Sequence, residues 1–219
     1  MNENELKLLW QTSNDKLEKN LVINKKNTHD LTKIKVNNIL GSMKPIKIFI
    51  LLVGILWVGI GAIVLSSIYV NGFSEANKFF LFSASIQIGL TAIALFIYLY
   101  QLITIYQVDI TDEIIRTQEK LANLKISTLW VTRILFLQLP VWTTFWWSET
   151  MLTDWSIFQW SIALLFTSSF TFIALWFFSN INYENRNKKW FQFIFRGKEW
   201  QPIIQSMKLL NQIQKYQEE

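Results

Sequence analysis

Four long apolar runs, almost free of charge, constrain this chain more than any other feature. They cover residues 48–70, 79–103, 127–147 and 155–179. At about 1.5 Å per helical residue, a run of about 20 residues crosses the roughly 30 Å hydrocarbon core of a bilayer. The first run holds no charged residue. The second stays uncharged on to Val108, longer than a bilayer needs, which predicts a tilted or projecting helix. The third includes Arg133, and the fourth is uncharged from Trp155 to Ile181. In a soluble bundle each of these helices would need a charged outer face, and none has one. The expected fold class is therefore all-α: a polytopic membrane protein with four transmembrane helices within residues 46–181. A helical N-terminal segment (1–45), a helical loop (109–126) and a C-terminal segment with a final helix (182–219) complete it.

The basic residues set the expected orientation. Lys and Arg number nine in residues 1–47, one between the first two runs, three between the second and third, none between the third and fourth, and seven after the fourth. Positive charge stays where the chain is made, so both tails and the central loop are expected in the cytoplasm. With no apolar core near Met1, a cleavable signal peptide of the usual form is not expected, and the first span directs insertion. The net charge of +5 is thus a topology signal, and no nucleic acid partner is expected. Trp142, Trp146, Trp147, Trp155 and Trp160 mark the outer ends of the third and fourth spans as an interfacial belt.

In the N-terminal segment, Leu17, Leu21, Thr28 and Leu31 recur at helical steps, with Asn24 interrupting the stripe. The pattern predicts a short helix near Glu3 to Gln11, then a longer one capped by Ser13 or Asn14 with Asp15 and Glu18 in its first turn. Gly41, Ser42 and Pro45 mark its end. Leu17, Leu21 and Leu31 form the candidate face for a partner protein, a second copy, the chain's own central hairpin, or the membrane surface, the last favoured by Lys25, Lys26, Lys33 and Lys35 but disfavoured by Asp15, Glu18 and Asp30. That hairpin is expected to begin at a cap on Thr111 or Asp112, with Glu113 in the first turn. It then carries Ile110, Ile114, Thr117, Leu121, Leu124 and Thr128 on one face of a single helix running to Pro140. After the fourth span, NRNKKWFQFIFRGKEW interleaves bases with rings. Beside a span this predicts a segment lying at the headgroups, with Lys188, Lys189, Arg196 and Lys198 contacting anionic lipid. Pro202 then opens a last helix with Ile203, Met207, Leu210 and Ile213 on one side.

Candidate chemistry is sparse. Cysteine is absent, which removes disulfides, thiol nucleophiles and thiolate metal sites. The single histidine, His29, adjoins Asp30, and neighbours on a helix face different ways, so no catalytic role is expected. Glu149 and Asp154, in the outer loop, read as solvated acids. No phosphate-loop, dinucleotide, zinc-protease or serine-hydrolase motif occurs, and no catalytic, cofactor or metal residue is assigned. Arg133 is the one charge inside a run. At six residues past Ser127 it snorkels to the cytoplasmic face or meets Gln101 or Tyr98 on the second span. Ser83, Gln87, Thr91, Ala94, Tyr98 and Gln101 share one face of the second span, and Ser156, Ala163, Thr167, Thr171 and Ala174 one face of the fourth. Such stripes serve helix packing or line an aqueous path, packing being the commoner use. The spans contain no Asp, Glu or His, which argues against proton coupling.

The stretches KISTLWVTRILFLQLPVWTTFWW and NRNKKWFQFIFRGKEWQPI resemble uncharacterised bacterial four-span membrane proteins. The resemblance implies a bacterial cytoplasmic (inner) membrane and brings no activity or functional residues with it. The expected function is a non-enzymatic integral membrane regulator or scaffold that binds a partner protein through cytoplasmic amphipathic helices. The alternative is a small oligomeric channel or transporter subunit centred on the second-span stripe.

Overall fold

A computed structural model describes residues 3–109 and 114–218 of the chain. The described residues are helical with no strand: α1 (Glu3–Gly41), α2 (Lys44–Asn71), α3 (Lys78–Tyr106), α4 (Ile114–Phe136), α5 (Leu139–Thr144), α6 (Thr150–Asp154), α7 (Ile157–Asn180), α8 (Lys189–Ile194) and α9 (Gln201–Glu218), with a short 3-10 turn at Tyr183–Asn187. Four stretches are long and apolar enough to cross a membrane: α2, α3, α4 continued by α5, and α7.

The N-terminal segment forms one helix where two were expected. No Gly or Pro precedes Gly41 to break it, and Thr12 turns its hydroxyl back on the Leu8 carbonyl at 2.7 Å. Ser13 and Asn14 lie within the helix, where their backbone groups are already paired and no cap is needed. The break falls at Ser42 and Met43, yet Met43 keeps right-handed helical dihedrals. Pro45 sits in the first turn of α2, where its missing N–H leaves nothing unpaired.

The spans pack in chain order. α2 lies on α3, α3 on α4 and α5, and these on α7, while α2 and α7 make no extensive contact. The membrane domain is thus a row of helices with α2 and α7 at its edges. Glycines bring α2 close to α3: a Cβ at Gly61 would stand 2.5 Å from the Ile88 Cδ1, and one at Gly54 would collide with the Leu95 side chain. At the far ends of the spans, Asn77 caps α3 by accepting from the Phe79 and Phe80 amides and also donates to the Trp147 carbonyl at 2.5 Å. Ser156 and Gln159 form a reciprocal capping box at the start of α7.

The third span is interrupted. An unbroken helix to Pro140 was expected, but α4 stops at Phe136 and α5 resumes at Leu139. A proline ring clashes with the carbonyl four residues earlier, which for Pro140 is that of Phe136. The expected cap at Thr111 or Asp112 with Glu113, and Ile110 of the hairpin face, lie outside the described residues.

The long ends of the chain meet on one side of the spans. Val36 and Leu40 of α1, with Met43 between α1 and α2, form a core with Ile105 at the end of α3, Val108 just past it, Leu121 and Leu124 of α4, and Ile203 and Leu210 of α9. The described ends of the hairpin, at Ile105, Val108, Leu121 and Leu124, are therefore covered, but by the last turns of α1 and by α9. Leu17, Leu21 and Leu31 do not reach it and are 59%, 60% and 66% exposed. A second core gathers Leu129, Ile181, Phe191, Phe195 and Trp200, with Phe136, Phe177 and Trp190 packed around it. The ring-rich segment was expected to lie along the headgroups. Most of its rings plug the junction of α4 and α7, where Phe136 stacks on Phe177 and Phe191 on Phe195. Phe193 alone of these rings projects.

Candidate functional site

A buried polar junction lies where the terminal helices meet the spans. Lys47, in the first turn of α2, has no exposed surface. Its Nζ donates to the Gln101 Oε1 at 2.6 Å, stands 4.4 Å from the centre of the Tyr98 ring, and is 3.9 Å from the Glu199 Oε1. The Tyr98 hydroxyl donates to the other carboxylate oxygen of Glu199 at 3.0 Å. Gln101 passes the network on, its Nε2 standing 3.5 Å from the Thr128 Oγ1, and Thr128 donates to the Leu124 carbonyl at 2.8 Å.

The members come from four parts of the chain, each for a local reason. Tyr98 and Gln101 are three residues apart, on the same face of α3, and Thr128 belongs to the buried side of α4 with Thr117, Leu121 and Leu124. Glu199 is carried in by the turn between α8 and α9, which Phe195 and Trp200 anchor in the aromatic plug. A buried ammonium is tolerated only when paired and hydrogen-bonded, and here a carboxylate, an amide oxygen and a ring face supply the compensation. The Tyr98 hydroxyl and the Lys47 ammonium both face the Glu199 carboxylate, and among the described residues no group of three or more metal-ligating side chains converges. Its arrangement can fasten α2, α3, α4 and the C-terminal turn together.

The other sequence candidates are distributed around this junction. Arg133 does not meet Gln101 or Tyr98. Half-buried, its Nε donates to the Ile181 carbonyl at 2.6 Å, just past the end of α7, and its guanidinium lies 5.1 Å from the Trp130 ring. A cation at a helix C-terminus complements the unpaired carbonyls there. The second-span stripe faces the third span: the Ser83 and Thr144 hydroxyls are 2.9 Å apart, Gln138 donates to Thr91 at 3.0 Å, and Thr91 donates to the Gln87 carbonyl at 2.8 Å. Gln87 is buried. On α7, Ala163, Thr167 and Thr171 are half-buried and Ala174 buried, on a helix whose other residues are mostly exposed.

His29 contacts its neighbour, Nδ1 to the Asp30 Oδ1 at 3.1 Å, with His29 half-buried and Asp30 exposed. Glu149 pairs with Lys78 at 3.8 Å across the two short loops. Lys188, Lys189, Arg196 and Lys198 are all exposed.

Lys47 and Glu199 were missed in the sequence. Lys47 reads as one more topology charge, and only the isolation of Glu199, the sole acid between residues 185 and 217, sets it apart. Compared with protein-family models, curated proteins and solved structures, the chain matches none.

Proposed function

We propose that the chain is a non-enzymatic membrane regulator or scaffold, held in a bacterial cytoplasmic membrane with both termini in the cytoplasm. The N-terminal arm of α1 binds a partner protein. The observation that carries this reading is that every side chain from Lys7 to Thr28 is exposed on a helix, Leu17 and Leu21 among them. A helix in water draws most of its stability from packing its apolar side, so an uncovered arm of this length calls for a cover. The core made by Val36, Leu40 and α9 fixes the base of the arm and leaves its apolar residues presented. The charge distribution supports the orientation, since the basic segments lie on the side where the arm projects.

The alternative, a channel or transporter subunit, finds less support. The second-span stripe that would line a path is engaged with Thr144, Gln138 and Lys47.

The test is to replace Leu17 and Leu21 by Asp and compare co-purification in mild detergent. Loss of a specific bound protein, with the membrane domain equally stable, is the expected result. Unchanged co-purification and equal protease sensitivity of the segment in both versions would contradict it.

A further inference from the structure

A groove of about 710 Å³ runs between the last turns of α1 and the turn joining α8 to α9. Leu31, Ile34 and Pro202 contribute apolar wall, Lys35, Arg196 and Lys198 contribute charge, and no carboxylate lines it. All three cations are exposed, and among the described residues none of them forms an ion pair. Like charges held along one concavity repel each other and concentrate an anion there.

The depth of the groove identifies the anion. Glu199, next to Lys198, lies 3.9 Å from the ammonium of Lys47, and Lys47 immediately precedes the first apolar run. Ser42, on the α1 wall, comes two residues before α2 begins. The lower end of the groove is therefore level with the headgroup layer, roughly 5–7 Å thick on each side of the hydrocarbon. Phe193 of α8, 80% exposed and three residues before Arg196, adds a ring suited to the same layer. Lys35 stands higher, about 9 Å along α1 from its end at Gly41.

We propose that this groove binds one anionic phospholipid, its phosphate taken by Arg196 and Lys198 and its headgroup reaching along the groove towards Lys35. A zwitterionic lipid would bring its own cation against these residues and is excluded by charge. An acidic helix of another protein matches the charge, but two of the three cations sit at membrane level, where a lipid is already present. The bound lipid bridges α1 and the C-terminal turn, so the charge of the leaflet governs how the base of the arm is held. The site is independent of any protein partner of the arm.

The full chain, delipidated in a neutral detergent, is mixed with phosphatidylglycerol or phosphatidylcholine, and retained lipid is counted by native mass spectrometry. Phosphatidylglycerol should be retained in preference. Combined Lys35→Gln, Arg196→Gln and Lys198→Gln should lower its retention at least about tenfold, given the contribution of each basic residue near an anionic surface. Arg196→Gln alone should lower it in the same direction, should the combined variant fail to fold. Removing equal charge from the arm, as Lys16→Gln, Lys25→Gln and Lys26→Gln, should leave retention unchanged. The proposal is overturned if the arm variant loses as much lipid as the groove variant, or if phosphatidylcholine is retained equally. It is equally overturned if inorganic phosphate alone displaces the lipid, or if the groove variant keeps its lipid and loses an acidic protein partner instead.

Discussion

Lys47 shows how much one side chain can fasten. It carries a charge at zero exposure, and its compensation comes from Gln101, Tyr98 and Glu199 on other segments. Glu199→Gln should therefore lower stability in detergent by about 1–2 kcal/mol, less than for a fully enclosed pair because Glu199 is partly exposed. Adding Lys47→Met should recover much of that loss, since the unpaired charge is then gone, and thermal unfolding of the single and double variants measures the coupling. Additive losses would show that the two residues do not act together. Arg133→Met removes the bond to the Ile181 carbonyl and should destabilise by about 1 kcal/mol, read as faster amide exchange in the last turn of α7. Gln101 was legible as a buried polar residue because it repeats on the face of Gln87, Thr91 and Tyr98. Its partner was not legible, because Lys47 resembles the snorkelling lysines around it and Glu199 reaches it only once the aromatic plug has folded the chain back.

At the scale of the helix, the close approach of α2 to α3 rests on glycine. Gly54→Leu should cost about 1–3 kcal/mol by overpacking against Leu95, whereas Gly59→Leu, at an exposed position where an added Cβ meets nothing within 4 Å, should be near neutral. Equal thermal shifts for both would remove glycine from the account of this interface. Thr91→Val, which breaks the bond from Gln138, should cost about 0.6 kcal/mol, the usual size of such contacts in membranes, with no other consequence. Loss of an ion flux in liposomes without that change in stability would favour the channel reading. The spans were legible because a bilayer demands uncharged length, and that demand is written in composition alone. Helix ends inside the polar segments were less so. Ser13 and Asn14 have capping chemistry, but a cap acts only where backbone N–H groups are unpaired, and here the helix runs through them. Pro140 was visible, yet its effect falls one turn earlier, at Phe136.

At the scale of the molecule, a row of four spans carries both long terminal helices on one side, with the arm of α1 extending beyond its packed base. Reporter fusions at Glu219 and near Lys120 should report cytoplasm, and those near Ser74 and Thr153 the outside. A cytoplasmic signal at Thr153 would contradict the proposed orientation. The packed base of α1 was not legible as such: the stripe of Leu17, Leu21 and Leu31 drew attention, while Val36 and Leu40, with Met43 just beyond the helix, pack against α9 and the described ends of the hairpin. The arm's proposed role is tested most directly by photocrosslinking from single positions of α1 in intact membranes. From Leu17 and Leu21 the expected product is a discrete adduct with a separate protein, while Val36 should crosslink only within its own chain, to α9. Adducts from Leu17 and Leu21 confined to lipid or to the chain's own hairpin would contradict a partner-binding arm.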